Sequence, residues 1–306
     1  MPDIKVMVCD QMASGPLEEM RKYLQVDEKI GQTPEGLADT IAPYNAIVVR
    51  SATKVREAAI NAAAGSGNLK VIVRGGVGVD NIDVAAAEAN GIAVRNTPAA
   101  SSVSVAELAF GLLIACARHI GYGTHTIKNG QWLKKELKGV ELAGKTLGII
   151  GIGRIGQEVA KRAMAFDMKV VAHDIYVPKS PIRKVRMVSF NTLLKKADFI
   201  TLHIPFDPAV GPTLSKAQFK KMKDGVIIAN AARGGTIDEK ALLDALNSGK
   251  VYSVGLDVFE KEPPEFRELI DHPRAVLTPH IGASTVEAQN KVGDEVVNVL
   301  REFFTV

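Results

Sequence analysis

The sequence is poor in cysteine and carries little net charge, and both absences narrow the class of protein. Only two of the 306 residues are cysteine, Cys9 and Cys116, and both lie in apolar surroundings. Two cysteines do not make a disulfide framework, so a reducing compartment is favoured. The formal net charge is +4, and no long run of lysine or arginine occurs. We therefore expect no nucleic-acid-binding arm.

Long hydrophobic runs, repeats and low-complexity tracts are also missing. The longest apolar stretch, residues 106–117, contains Glu107 and is too short to span a bilayer. The first ten residues, MPDIKVMVCD, enter a predicted strand directly and do not have the shape of a signal peptide. These features favour a cytoplasmic globular protein that has no membrane partner.

Apolar runs of strand length alternate with helical patterns along the whole chain. In the first part we predict strands at residues 4–9, 46–49, 71–73 and 93–94 and helices at 16–24, 34–41, 55–64 and 84–90. In the later part we predict strands at residues 199–203, 226–230, 253–256 and 275–277. A long apolar helix is predicted from Ser101, and an amphipathic helix over residues 285–304. Such alternation is typical of parallel sheets flanked by helices.

At 306 residues the chain is long enough for two domains. We predict an α/β fold with two Rossmann-like domains, in which a doubly wound NAD-binding sheet is inserted into a smaller flavodoxin-like substrate domain. The substrate domain spans residues 1–97 and is completed by residues 283–306, while the NAD-binding domain spans residues 98–282. The chain thus crosses between the domains twice, near Pro98 and near Gly282.

The stretch TLGIIGIGRIGQEVAKRAMAFDMKVVAHD, residues 146–174, has the order strand, glycine turn, helix, strand and acid. Gly151 allows a tight turn, Gly153 lets a pyrophosphate approach the backbone, and Gly156 lets helix and strand pack closely. The helix N-terminus offers N–H groups and partial positive charge to phosphates. Asp174 stands at the spacing of an acid that holds the ribose 2′-hydroxyl. This order predicts dinucleotide binding, and a purely structural βαβ unit is the alternative.

The acid at position 174 favours NAD over NADP. Several basic residues follow it, however, so a 2′-phosphate is not excluded by the sequence. They are Lys179, Arg183, Lys184 and Arg186.

Three later stretches, NAARGG, LDVFEKEP and TPHIGAST, each follow a predicted strand. Open α/β sheets bind ligands at the carboxyl ends of their strands. Arg233 supplies a planar fork for a substrate carboxylate, and His280 can exchange a proton with a hydroxyl. A carboxylate beside His280 would raise its pKa, and both Glu260 and Glu262 are candidates. Asp257 is better suited to the carboxamide of a nicotinamide ring.

GxGxxG, NxARGG, DVFExEP and PHIGAST in this order resemble the D-isomer-specific 2-hydroxyacid dehydrogenases over nearly the whole chain. The resemblance implies NAD as cofactor, Arg233 as the substrate-carboxylate ligand, and Glu262 as the partner of the acid/base His280. It implies no metal. It further implies cofactor contacts at Arg154, Ile155, Asp174, His203, Ala231, Asp257, Gly282 and Ala283, besides the glycine turn. Ile175 stands where many members have proline, so the local loop departs from the family pattern.

The N-terminal half is similar to the phosphoglycerate dehydrogenases within that family. The similarity rests on the stretches VRSATKV, RGGVGVDN and NTP. It implies that Arg50 and Arg74 meet the charged ends of a phosphorylated hydroxy acid and that backbone groups of Gly75, Gly76 and Val77 hold its carboxylate. A basic residue of the neighbouring subunit is also implied, and Lys134 is the best match. The alternative is that Arg50 and Lys134 are solvated surface charges.

The resemblance therefore predicts a homodimer that oxidises a phosphorylated hydroxy acid. Many phosphoglycerate dehydrogenases carry a C-terminal regulatory domain, so we expect either a natural short form or a truncated chain. Two alternatives stay open. One is a reductase for glyoxylate, hydroxypyruvate or another 2-keto acid, and the other is a dinucleotide-sensing transcriptional corepressor.

Overall fold

The computed structural model describes residues 4–306, which divide into two compact units. One unit contains the described residues up to Ser102 together with Ala283–Val306, and the other contains Val103–Gly282. The chain therefore passes between the units twice. The sequence places these two boundaries after residues 97 and 282. Each unit is built on one parallel sheet, which confirms the predicted α/β class.

The first unit has five parallel strands in the order β2-β1-β3-β4-β5, the flavodoxin-like order. The strands are β1 Lys5–Val8, β2 Gln25–Glu28, β3 Ala46–Val49, β4 Val71–Arg74 and β5 Ala93–Asn96. The helices are α1 Ser14–Arg21, α2 Pro34–Thr40, α3 Glu57–Ser66, α4 Val84–Ala89 and the last helix of the chain, α12 Val286–Phe304. Thr33, Asp83 and Thr285 cap three of these helices with their side-chain oxygens.

The last helix packs on this sheet, as its amphipathic pattern predicts. Val292, Val296 and Leu300 recur at helical spacing and are at most 5% exposed. They share a core with residues of β1 and β4, such as Val6 and Val73. The apolar face of α12 therefore covers one side of the five-stranded sheet.

The second unit has seven parallel strands in the order β12-β11-β10-β9-β6-β7-β8. They are β6 Thr146–Ile150, β7 Lys169–His173, β8 Arg186–Met187, β9 Phe199–Leu202, β10 Val226–Asn230, β11 Val251–Leu256 and β12 Ala275–Leu277. The strand order reverses between β6 and β9, as in doubly wound dinucleotide-binding sheets. The helices are α5 Ser102–Ala117, α6 Ile120–Lys128, α7 Arg154–Ala165, α8 Phe190–Lys196, α9 Lys216–Phe219, α10 Glu239–Asn247 and α11 Arg267–Ile270.

The long apolar helix predicted from Ser101 is divided in two. Helix α5 ends at Ala117, and His119 adopts a left-handed conformation with φ 53° before α6 begins. Within residues 4–306, no individual helix has both the length and the apolar character needed to cross a membrane. Among the described helices, only α5 and α6 taken together meet that test, and they are bent by 63°.

Candidate active site

Five neighbouring strands of the second unit end beside one another, and a predicted site residue follows each of them. The glycine turn follows β6 and His203 follows β9. Arg233 follows β10, Glu262 follows β11 and His280 follows β12. Since parallel strands place their carboxyl ends at the same edge, these groups lie along one edge of the sheet.

The glycine turn is tightly packed at two of its glycines and open at the third. Gly151 has φ 93°, and a Cβ there would lie 2.4 Å from the carbonyl oxygen of His203. A Cβ at Gly156 would lie 2.2 Å from the carbonyl oxygen of Gly151. Gly153, at the N-cap of α7, is exposed and has open space where its Cβ would be. Two glycines are therefore required by close packing, while the third leaves the helix N-terminus accessible to an anion.

Asp174 lies directly after β7 and closes the turn from the other side. Its Oδ2 accepts a hydrogen bond from Ile152 N at 2.9 Å, and its Oδ1 accepts from Tyr176 N at 2.8 Å. The exposed side chains of Ile175 and Tyr176 stand beside it in sequence. The four basic residues that follow are exposed, and the structure records no ion pair between them and Asp174 among residues 4–306. The carboxylate is thus fixed beside the glycine turn, and its predicted contact with a ribose stays a prediction.

His203 contributes to the turn mainly through its backbone. Its N–H donates to the carbonyl of Ile150 at 2.7 Å, and its carbonyl oxygen packs against Gly151. The ring nitrogen Nε2 lies 3.0 Å from Thr201 Oγ1. Burial lowers the pKa of His203 to about 3, so the ring is neutral near physiological pH.

His280 and Glu262 form a hydrogen-bonded pair. Nδ1 of His280 lies 2.7 Å from Oε2 of Glu262, and both side chains are partly exposed. This hydrogen bond raises the pKa of His280 above its ordinary value, and the charge of Glu262 adds to the effect. Burial by itself would raise the pKa of Glu262, but the hydrogen bond and charge of His280 outweigh it and lower that pKa. With Nδ1 engaged, Nε2 is the atom left to exchange a proton.

Glu260, the other candidate acid, is engaged elsewhere. Its Oε1 accepts from the backbone N–H of Glu239 at 3.0 Å, and its own N–H donates to Glu239 Oε1 at 2.8 Å. This reciprocal pair ties the loop after β11 to the first turn of α10. Of the two candidates, the structure therefore brings Glu262 and not Glu260 to His280. Among the residues that the structure describes, no group of three or more His, Cys, Asp or Glu could hold a metal ion.

Asp257 fixes the loop that carries His280. Oδ1 accepts from Thr278 Oγ1 at 2.6 Å and from Ile281 N at 2.8 Å, and Oδ2 accepts from Gly282 N at 2.8 Å. The residue is 1% exposed. These bonds hold the loop on both sides of His280, which has φ 52°. The predicted contact of Asp257 with a carboxamide stays a prediction.

Arg233 lies in a loop that Asn230 holds in shape. The amide nitrogen of Asn230 donates to the carbonyl of Arg233 and to Thr236 Oγ1, both at 3.0 Å. A Cβ at Gly234 would lie 1.7 Å from the carbonyl oxygen of Phe259, so the loops after β10 and β11 touch through their backbones. Ala231 is 8% exposed. The sequence motif contained Asn230, but its orienting role emerged only from these contacts.

The predicted substrate residues of the first unit lie at or directly after the ends of β3 and β4. Arg50 lines a small cleft together with Gly75, Gln289 and apolar residues of β3 and α12. The side chain of Arg74 folds over Gly76, where a Cβ would lie 1.5 Å from Nη1 of Arg74. Val77 is partly exposed, and Ala283 also belongs to this unit. Lys134 lies in the second unit, exposed in the segment after α6.

The second unit combines a doubly wound parallel sheet, a glycine turn, an acid after the second strand and an adjacent His280–Glu262 pair. This combination is typical of NAD-dependent dehydrogenases. The family model described as D-isomer specific 2-hydroxyacid dehydrogenase, NAD binding domain, matches residues 110–282. The chain belongs to this family. It is an NAD-dependent D-2-hydroxyacid dehydrogenase, and its cofactor is NAD.

Two relatives of this chain carry the names of enzymes with different substrates. Hydroxypyruvate reductase of Thermotoga maritima is 52% identical over 94% of the chain and 90% of the relative. D-3-phosphoglycerate dehydrogenase of Methanocaldococcus jannaschii is 46% identical over 98% of the chain but only 57% of the relative. The chain therefore spans somewhat more than half the length of this second relative.

Solved structures agree with the fold. A glyoxylate reductase from Paecilomyes thermophila is 36% identical and superposes with a TM-score of 0.89, covering 99% of this chain and 95% of that one. The TT0316 protein from Thermus thermophilus is 34% identical and has the same TM-score of 0.89, with 99% of this chain and 97% of that one covered.

The pair formed by His280 and Glu262 can be tested by titration. In Glu262→Gln the hydrogen bond can remain but the negative charge is lost, so the pKa of His280 should fall. The measurement is NMR of the imidazole resonances across pH, with His280 identified by the signal missing in His280→Ala. Glu260→Gln is the matched control and should leave that pKa unchanged. An unchanged pKa in Glu262→Gln would contradict the assigned pairing.

Proposed function

We propose that this chain oxidises D-3-phosphoglycerate to 3-phosphohydroxypyruvate with NAD. The observation that carries the proposal is the placement of two arginines, Arg50 and Arg74, at the adjacent ends of β3 and β4. A phosphorylated hydroxy acid carries about three negative charges, and guanidinium groups bind phosphate and carboxylate with paired hydrogen bonds. The name of the M. jannaschii relative supports the same substrate.

The proton transfer is assigned to His280. In the oxidation, Nε2 removes the proton of the C2 hydroxyl while the C2–H bond gives up its electron pair as hydride. Glu262 stabilises the imidazolium that forms and keeps the ring oriented through Nδ1. Arg233 binds the substrate carboxylate and the developing carbonyl oxygen. In the reverse direction the protonated His280 returns the proton.

The cofactor fits the residues present in the second unit. The open N-terminus of α7 at Gly153, Arg154 and Ile155 would hold the pyrophosphate, and Asp174 would hold the ribose. When bound, NAD supplies the hydride acceptor. The neutral ring of His203 would place no positive charge beside the turn.

A second candidate substrate is an unphosphorylated 2-keto acid. The T. maritima relative, named hydroxypyruvate reductase, is similar to this chain over nearly its whole length. Hydroxypyruvate and glyoxylate carry a single carboxylate, so neither requires a cation for a phosphate. The role of Arg50 is therefore the feature that separates the two candidates.

We also propose that the chain acts as a homodimer and that Lys134 serves the site of the partner subunit. Large apolar side chains are exposed along α6 and the segment after it. Ile120, Ile127 and Trp132 are 52%, 62% and 78% exposed. Exposed apolar side chains grouped in this way are typical of an interface. The resemblance of this region to the dimerising arm of the family supports the proposal.

The substrate can be decided by a panel of acids measured at the absorbance band of reduced nicotinamide. Arg50→Ala should raise KM for D-3-phosphoglycerate by about tenfold or more, because one charge-assisted contact is lost. KM for hydroxypyruvate and glyoxylate should change little. Arg95→Ala, which removes an exposed arginine from β5, is the control. An enzyme that turns over only the unphosphorylated acids would contradict the proposed substrate.

The dimer can be tested by light scattering. We expect the mass of two chains for the unmodified protein and a shift toward one chain for Trp132→Glu, since a buried charge without a partner opposes association. Val210→Glu is the control, because Val210 is 81% exposed in a different loop. A mass of one chain for the unmodified protein at micromolar concentration would rule out the dimer.

A further inference from the structure

The segment after β3, residues 50–53, is here called the Arg50 loop. Asp10 lies two residues after β1, the strand beside β3 in the sheet, and is 7% exposed. Its Oδ2 accepts hydrogen bonds from the backbone N–H groups of Arg50 and Thr53, and its Oδ1 accepts from Thr53 Oγ1 at 2.9 Å. Every hydrogen bond that the structure records for this carboxylate, among residues 4–306, goes to the Arg50 loop.

Asn81 binds the backbone carbonyl groups of the same loop. The amide nitrogen of Asn81 donates to the carbonyl oxygens of Arg50 and Thr53, both at 2.7 Å. The carbonyl of Asn81 in turn accepts from Val55 N at 2.8 Å. Asp10 thus binds the N–H groups of Arg50 and Thr53, and Asn81 binds their carbonyl groups. The two side chains together fix both ends of the loop.

The side chain of Arg50 is itself restrained by two further contacts. Nη1 donates to the carbonyl of Gln11 at 3.2 Å, and Gln11 is the neighbour of Asp10 in the chain. Cγ packs 3.4 Å from where a Cβ of Gly75 would lie. A displacement of Asp10 would therefore move both the backbone of Arg50 and the acceptor of its guanidinium.

We propose that Asp10 and Asn81 are positioning residues that hold the Arg50 loop in the shape that binds the anionic tail of the substrate. This inference rests on the proposed function, in which Arg50 contacts the substrate. A guanidinium on a fixed backbone loses less conformational freedom on binding than one on a mobile loop. The effect of Asp10 and Asn81 on binding should therefore pass through Arg50 and depend on its presence.

The kinetic test measures Asp10→Ala, Arg50→Ala and the double variant, using the acid that the unmodified enzyme turns over. In Asp10→Ala, KM for the acid should rise about tenfold while kcat changes less than about threefold and KM for NAD is unchanged. The double variant should have the KM of Arg50→Ala alone, because the effect passes through Arg50. Asp10→Asn should be intermediate, since its remaining oxygen can still accept one backbone N–H.

Asp83→Ala is the matched control. It removes one carboxylate–amide hydrogen bond, to Ala86 N, at the start of α4, and it leaves the bonds of Asp10 in place. KM for the acid should not change in this variant. Additive effects of Asp10→Ala and Arg50→Ala, or an equal rise of KM in Asp83→Ala, would overturn the proposal.

Hydrogen–deuterium exchange gives a readout that does not depend on the substrate. Amides of residues 50–53 should exchange at least about tenfold faster in Asp10→Ala than in the unmodified protein, while those of β3 keep their protection. Unchanged exchange would overturn the proposal even if Arg50 binds the substrate. A different outcome is faster exchange in Asp10→Ala together with a normal KM for every acid in Arg50→Ala. That outcome would show that Arg50 does not bind the substrate, and it would overturn the positioning role as well.

Discussion

Parallel pairing of neighbouring strands is the constraint on which the candidate active site depends. Strands β10, β11 and β12 are adjacent in the sheet, so the loops that follow them begin roughly 5 Å apart. The loop of Arg233 and the loop of Glu262 then touch through their backbones at Gly234 and Phe259. A side chain at position 234 would separate them. Parallel pairing puts the loops of Arg233, Glu262 and His280 on one edge of the sheet, and the contact at Gly234 brings the first two of these loops together.

Two carboxylates act on His280 in different ways. Glu262 bonds to the ring itself and raises its pKa. Asp257 does not contact the ring, but it binds the backbone of Ile281 and Gly282 and the hydroxyl of Thr278. Glu262 therefore acts on the pKa of His280 through a hydrogen bond and its charge, whereas Asp257 fixes the path of the loop and adds a smaller, through-space charge effect in the same direction. The reciprocal bonds between Glu239 and Glu260 leave Glu262 as the acid that meets the ring.

Much of this arrangement could be predicted from the sequence, because strand, turn and helix patterns are local. The glycine turn, the acid at position 174 and the strands that precede Arg233, Glu262 and His280 all follow from short-range patterns. Glu260 and Glu262 are only two residues apart, so local sequence patterns did not show which of them pairs with His280. The family resemblance pointed to Glu262.

Elements that depend on tertiary contacts were missed. Strand β2 has the polar sequence QVDE and lies at the edge of its sheet, where one pairing partner suffices. The break at His119 interrupts an apolar pattern that predicts one continuous helix. Asp10 was also missed, although it follows a strand end as the other site residues do, because its partners lie about 40 residues away in the chain.

The central claim is that His280, held by Glu262, exchanges the proton of the reaction. The most direct test is the pH dependence of kcat/KM in both directions with the same enzyme. An ordinary histidine has a pKa of about 6.5, and Glu262 raises the pKa of His280 above that value. Oxidation needs the neutral imidazole, so kcat/KM for oxidation should fall as the pH drops below the raised pKa. Reduction needs the imidazolium and should fall as pH rises above it. Profiles that are flat, or that fall on the same side in both directions, would contradict the account.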